Sequence, residues 1–293
     1  MTPDFLKNVY LLSAISSVTF GLIGALVVAR RIGYLAGAIS HCAFGGVGFG
    51  LWFQQALKTG ALGTLALAAC FTSPENAPKL CERWSSFVNP IPTALLFAIL
   101  SALLVDAIRR RAKEREETLL GAIWAIGMAL GLLFIERVDG YVSVSTYLFG
   151  DVLLIGRSDI WTAAALGGAI LLVVFCDFKR LEAVCFDEEY AELRGVDVDF
   201  QNRLLLTLAA VAVVLMLRIV GMAMIVALLT LPAATAGRFA KRLGTTIIAS
   251  IVICFVGSWI GIWLSFLLNF STGPTIILVV AVFYGISLLL GKK

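Results

Sequence analysis

Charge is what this chain has least of. Asp, Glu, Lys and Arg make up 14% of its 293 residues, hydrophobic residues make up 60%, and mean hydropathy is +0.97. A water-soluble domain of this length needs far more charge to cover its surface, so that class is excluded. There is one histidine, His41, which rules out the paired-histidine strings of helical metallohydrolases and argues against an integral-membrane enzyme of that kind. No Gly-x-x-x-x-Gly-Lys-Ser/Thr string occurs, so the chain has no loop of that kind to cradle nucleotide phosphates. If ATP drives this protein, the engine is a separate chain. The six cysteines lack paired ligand spacing; Cys70 and Cys81 share one segment, which permits a disulfide without requiring one.

Long apolar runs take the place of charge. A hydrocarbon core of roughly 30 Å needs about 20 apolar residues in a helix. Runs at 9–29, 34–53, 91–108, 118–136, 159–176, 203–217, 219–236, 245–268 and 275–290 approach or meet that length. The expected fold is all-α, a polytopic transmembrane helical bundle of eight to nine spans in one domain over 1–293, with 203–217 the shortest run. Residues 61–71 are apolar but too short to cross, which suits a re-entrant or interfacial piece. The first run ends in Arg30-Arg31 instead of a small-residue cleavage site, so it is expected to be a span and not a signal peptide.

Basic residues favour the cytoplasmic face of a membrane. Alternating the nine runs puts 16 of the 23 Lys and Arg on one face and 7 on the other. The richer face holds Arg30, Arg31, the 109–115 cluster, Lys241, Arg242 and the C-terminal lysines. The N-terminus is therefore expected outside and the C-terminus in the cytoplasm. Residues 54–93, with Pro74, Pro78 and Pro90, become an external loop able to touch an extracytoplasmic partner. The net charge of +4 follows from this bias; the 109–115 cluster reads as a topology anchor or lipid-headgroup contact, and no nucleic-acid partner is implied.

One polar segment stands between two apolar blocks on the cytoplasmic side, residues 186–198. It opens with Asp187-Glu-Glu-Tyr-Ala191 and closes through Glu192, Arg194, Gly195 and Val196. Acids at the start and Arg-Gly at the end suit a short helix with a complementary macrodipole and a glycine C-cap, a handle on which a second protein can act. The bland reading is an ordinary solvated loop. Inside the second run, His41 stands between Ser40 and Cys42, with Gly37, Gly45 and Gly48 allowing close helix approach. A group that titrates or ligates is costly in a membrane unless it faces a cavity or a partner, so His41 either lines a path or makes one interhelical hydrogen bond. Asp106, Glu136 and Asp159 lie near span ends, and Asp106 joins Ser40, His41 and Cys42 as a candidate path residue. Pro232 interrupts a span with a missing hydrogen bond, while Tyr147-Leu-Phe-Gly-Asp151 and Gly273-Pro-Thr-Ile276 carry no chemistry of their own.

Taken in order, these strings resemble the zinc/manganese/iron-type ABC transporter permeases, the ABC-3 family, over roughly residues 9–290. The resemblance implies the membrane subunit of an ATP-driven importer for a divalent transition metal, similar in architecture to type II ABC importer permeases. It also implies a second permease copy as homodimer or heterodimer, an extracytoplasmic metal-binding protein, and a cytoplasmic ATP-binding subunit docked around 186–198. The contacts there fall on Asp187, Glu188, Ala191, Glu192, Arg194 and Gly195. The chain itself would bind no cofactor and hydrolyse no ATP; it would sit among lipid in a bacterial plasma membrane. Many family members carry an acid four residues before the pathway histidine, and here that position is Gly37. His and Cys suit zinc or iron, whereas manganese prefers oxygen ligands, so zinc or iron is favoured on donor chemistry. An Asp introduced at 37 is expected to strengthen metal retention. The alternative is a secondary transporter or channel working without ATP, but it calls for intramembrane acid-base relays or an inverted repeat, and one histidine with few mid-span acids argues against it.

The charge bias generates a topology test. In a background stripped of accessible native cysteines, a cysteine replacing Ser73 is expected to react with an impermeant maleimide on intact cells. A cysteine replacing Lys113 should react only after permeabilisation. The reverse pattern would invert the chain and put residues 186–198 outside.

Overall fold

Apolar runs without a hydrogen-bonding solvent must satisfy their backbone groups internally, and a helix does so within one segment. The computed structural model follows that rule: it describes residues 3–58, 90–111, 116–138, 144–150 and 156–290, and among these every regular element is an α-helix. The helices are α1 (Pro3–Ala29), α2 (Gly33–Lys58), α3 (Pro90–Arg111), α4 (Glu116–Ile135), α5 (Val144–Phe149) and α6 (Arg157–Cys176). They continue with α7 (Phe178–Phe186), α8 (Glu188–Leu193), α9 (Val198–Val220), α10 (Met222–Phe239), α11 (Leu243–Leu268) and α12 (Thr272–Leu290). Eight of them are long and apolar enough to cross a membrane, and α4 adds a shorter apolar stretch, Leu120–Ile135. The expected run 203–217 proves longer: α9 begins at Val198, because Asp197 caps it by accepting a hydrogen bond from the Phe200 amide at 2.9 Å. The 61–71 piece, the middle of the 54–93 loop, and Cys70 and Cys81 lie outside the described residues.

Helix α1 runs through the middle of the bundle. It packs on α10 and α11 along one side and on α6 along another, and Phe20, Ile23, Ala25 and Leu26 are completely buried. Two of its hydroxyls cost little because its own backbone satisfies them, whereas the buried Ser13 hydroxyl has no hydrogen-bond partner among the described residues. Ser16 donates to the Leu12 carbonyl and Ser17 to that of Ser13, each at 2.7 Å. Helix α2 packs against both α3 and α4, and α9 joins this group to the rest by packing on α3 and on α6.

Small residues set how closely these helices meet. Between α2 and α4 the backbones nearly touch: a Cβ added at Gly45 would lie 2.9 Å from the Gly127 carbonyl oxygen, and one at Gly48 only 2.5 Å from that of Gly131. Lipid tails are as apolar as leucine, so dispersion across such seams replaces the hydrophobic effect as the force between spans. Further along the same helices, Phe49 gathers Phe53, Phe97 and Phe134 with ring centroids 5.3–5.7 Å away.

This packing separates glycines that matter from those that do not. Gly127→Val should lower the thermal midpoint of the detergent-solubilised protein by several degrees, since its Cβ would fall 2.7 Å from the Cys42 amide nitrogen. Gly121 has no neighbour within 4 Å, and Gly121→Ala should be neutral or stabilising, given a helix propensity gain of about 1 kcal/mol. Equal effects in a thermal shift assay would remove the seam as a packing determinant.

Candidate functional site

The polar segment folds as a chain of caps. Asp187 ends α7 and opens α8, its carboxylate accepting a hydrogen bond from the Tyr190 amide at 3.0 Å. At the other end the Gly195 amide donates to the Glu192 carbonyl at 2.8 Å and the Val196 amide to that of Ala191 at 3.0 Å. This is the paired C-terminal closure that needs a left-handed residue, supplied by Gly195 at φ 76°. Val184, Ala191 and Val198 form a small core of their own, with Ala183 and Val196 against it. The segment is a folded knob and not a solvated loop. Ala191, expected among the docking contacts, is completely buried and serves the knob's interior. The outward surface consists of Glu189, Glu192 and Arg194, together with Tyr190 and with Leu193, which is 88% exposed. The Arg194 guanidinium lies over the Tyr190 ring, 5.0 Å from its centroid.

A buried side chain also ties this knob to the end of α1. Arg30, just past the end of α1, is 7% exposed and reaches across to α7, α8 and α9. It donates to the Val184 carbonyl at 2.7 Å and to the Asn202 side-chain oxygen, and pairs with the Glu188 carboxylate at 2.6 Å. A guanidinium can occupy so closed a position only because its fork of donors is used this fully. The same closure covers Cys185: burial pushes its thiol up to about 11, while the neighbouring Arg30 charge works in the opposite direction.

In α2, His41 is 8% exposed, and its Nδ1 lies 2.9 Å from the Gly37 carbonyl oxygen. The imidazole faces the indole of Trp124 from α4, with ring centroids 4.4 Å apart. That indole also crosses Gly37, where a Cβ would lie 2.6 Å from Cζ3 of Trp124. An Asp at 37, expected to strengthen metal retention, would meet this indole, which has to shift to admit it. Ser40 is completely buried and donates to the Ala36 carbonyl at 2.7 Å, and Cys42 directs its thiol to the Ile123 carbonyl at 3.6 Å. Asp106 is buried in α3. Among the described residues no set of three or more His, Cys, Asp or Glu groups is gathered tightly enough to hold a metal ion, so His41, Cys42 and Asp106 do not form a preorganised cage. Asp159 has a structural duty, accepting from the Gly156 amide at 2.9 Å at the start of α6, and Glu136 is exposed beyond α4.

At the end of the bundle away from Arg30, the strings without evident chemistry meet. Gly221, at φ 79°, separates α9 from α10, and a Cβ there would lie 2.3 Å from the Gly150 nitrogen and 2.5 Å from the Phe149 carbonyl carbon. A Cβ on Gly273 would lie 2.3 Å from the Phe149 carbonyl oxygen. The end of α5 is therefore wedged between the α9–α10 break and the start of α12, backbone against backbone. Asp151 lies outside the described residues.

Known proteins are similar to this chain in fold or in sequence. PsaBC from Streptococcus pneumoniae, solved in complex with a Fab, contains a chain that superposes with a TM-score of 0.78 at 26% identity, covering 99% of this chain and 92% of that one. An uncharacterized membrane protein of Synechocystis is 32% identical over 97% of this chain and 90% of its own length. The manganese import system permease protein ScaB of Streptococcus gordonii is 26% identical over 99% of this chain and 92% of its own length. The family model of the ABC 3 transport family matches residues 2–80 and 85–291, and the chain belongs to that family.

Proposed function

We propose that this chain is the membrane permease of an ATP-driven importer for a divalent transition-metal ion, with the Arg30 end of the bundle in the cytoplasm and the knob at 186–198 as the docking point of a separate ATPase. The observation that carries the coupling role is the Arg30 latch. A rigid, capped helix exposing Tyr190, Leu193 and Arg194 is fastened by one buried guanidinium to the first membrane helix. A push on α8 is thereby a push on α1. The chain supplies no nucleotide-binding loop of its own, which fits ATP hydrolysis in a partner. A second permease copy and an extracytoplasmic metal-binding protein complete the assembly.

For the cargo, His41 is the contact we favour, with Cys42 and Asp106 behind it and Ser40 placed to shape the helix. With Nδ1 engaged by the Gly37 carbonyl, the ring has only Nε2 to offer a cation, which suits a transient contact better than a tight site. The name of the streptococcal relative points to manganese, whereas imidazole and thiol donors without the oxygen that Gly37 omits favour zinc or iron. Uptake into proteoliposomes holding permease, ATPase and binding protein, with the three metals compared in parallel, decides between them.

Two sets of variants test the mechanism. Leu193→Asp alters only an exposed side chain, so it should abolish co-purification of the ATPase while leaving the permease's thermal midpoint unchanged. Glu188→Gln should loosen the latch, lowering metal uptake several-fold per ATP hydrolysed. It should also speed maleimide labelling of Cys185 near pH 8, where a thiol pushed up to about 11 is almost wholly protonated and unreactive. Normal docking in the first variant and normal coupling in the second would take the knob out of the mechanism. In the same liposomes His41→Gln should slow uptake several-fold with assembly preserved, and Gly37→Asp should gain metal retention only when combined with Trp124→Ala. Unchanged uptake in His41→Gln would leave the ring a packing residue.

A further inference from the structure

Beside the latch, but not part of it, lies a cleft of about 680 Å³ at the Arg30 end of the bundle. Its walls come from the end of α1, the end of α7, the α10–α11 turn and α12, and its cations are Arg31, Arg238, Lys241 and Arg242. Among the described residues no acidic side chain lines it. Arg238 is held by the Ser287 carbonyl at 3.1 Å, whereas Arg31, Lys241 and Arg242 are solvent-exposed and form no ion pair with the described residues. The first turn of α11 stands at the same wall through Leu243 and Thr246, and its N-cap, Arg242, contributes no side-chain cap. The positive end of that helix therefore adds to the field of the cations. The remaining wall is apolar or aromatic: Ala25, Val28, Phe186 and Tyr284. Three exposed cations without an ion pair among the described residues, above an apolar floor and between membrane helices at the level where they end, match a phosphate group carried on an acyl glycerol.

The backbone adds an independent sign. Arg31 adopts the left-handed conformation at φ 59°, where glycine is the ordinary occupant. That conformation turns consecutive arginines to opposite duties, Arg30 inward to the latch and Arg31 outward to the cleft.

We propose that this cleft binds a phosphate-bearing anion, an anionic phospholipid in place of free phosphate because of the apolar wall, with Arg31, Lys241 and Arg242 as its ligands. Phe186 lines the cleft one residue before Asp187, so the bound headgroup braces the root of the knob. The inference shares with the proposed function only the placement of this end at the inner membrane surface.

Native mass spectrometry of the purified full-length permease, exchanged into detergent with phosphatidylglycerol or phosphatidylcholine, tests it without reference to transport. We expect phosphatidylglycerol to be retained and phosphatidylcholine lost, with retention weakening roughly fivefold for each cation replaced in Lys241→Gln and Arg242→Gln. Arg31→Gly is the discriminating variant, because it relieves the left-handed strain and should preserve or raise the thermal midpoint while still losing lipid. Competition by inorganic phosphate at millimolar concentration would identify the free anion as the ligand. Its failure to compete identifies the lipid. Equal retention of the two lipids, or unchanged phosphatidylglycerol binding in the Arg31→Gly, Lys241→Gln, Arg242→Gln triple variant, overturns the proposal, whatever the metal-uptake assays return.

Discussion

A buried guanidinium has to be answered, and in this protein the answer decides how the membrane helices and the polar segment are joined. Arg30 is withdrawn from solvent at the end of α1 and satisfied by a carbonyl from α7, a carboxylate from α8 and an amide oxygen from α9. Removing one member of a buried charge pair typically costs about 3–5 kcal/mol, set against a total stability of about 5–15 kcal/mol for a typical protein. The Glu188 carboxylate is half exposed, so its own share falls well below that range; the guanidinium's withdrawal makes the joint obligatory. The knob cannot drift from α1 without stranding that charge.

The remaining packing obeys a different constraint, the absence of water between spans. Where α2 meets α4, glycines bring backbones into contact, and the hydroxyls of Ser16, Ser17 and Ser40 turn back onto their own helices. These choices leave His41 as an exception. Its Nδ1 is engaged with the Gly37 carbonyl, and the face of the ring is covered by an indole that offers no ligand lone pair. A seam built for dispersion thus contains one group built for coordination, covered by a side chain that is itself partly exposed.

How much of this could be read from the residues depends on how local each cause is. The spans were legible because hydropathy over about 20 residues is a local property, and the caps of the knob were legible because Asp187 and Gly195 act within a few residues of themselves. The start of α9 was misplaced by five residues because apolar content, not the Asp197 cap, was used to find it. Arg30 counted only as one of the basic residues of the richer face and as the end of the first run, since its partners lie 154 to 172 residues away and nothing in a basic pair names them. Trp124 over Gly37 was invisible for the same reason: the register between two helices is fixed by their whole seam. Phe149, Gly221 and Gly273 lacked meaning singly because their role is mutual contact. Leu193 and Tyr190 could have been suspected, as apolar side chains within an otherwise polar capped helix.

A short turn joins the helix that ends beside Arg30 to the helix that bears His41. Between Arg30 and the first residue of α2 there are only Arg31 and Ile32, and the turn is closed by backbone hydrogen bonds from Arg31 to Val28 and from Ile32 to Val27, each at 3.0 Å. A short, hydrogen-bonded turn transmits displacement instead of absorbing it. From Gly33 the α2 helix rises about 12 Å to His41 at 1.5 Å per residue. On the proposed function, a force on α8 would pass through Glu188, Arg30 and the α1–α2 turn to the helix that carries the histidine. The α2–α4 seam sets what that force must do. Because glycine backbones interlock along it, α2 cannot shift relative to Trp124 by small degrees without breaking contact. On the proposed function, moving α2 along this seam would be a step between two packings, and a step of that kind would call for an external source of work, which the proposed ATPase would supply through the knob.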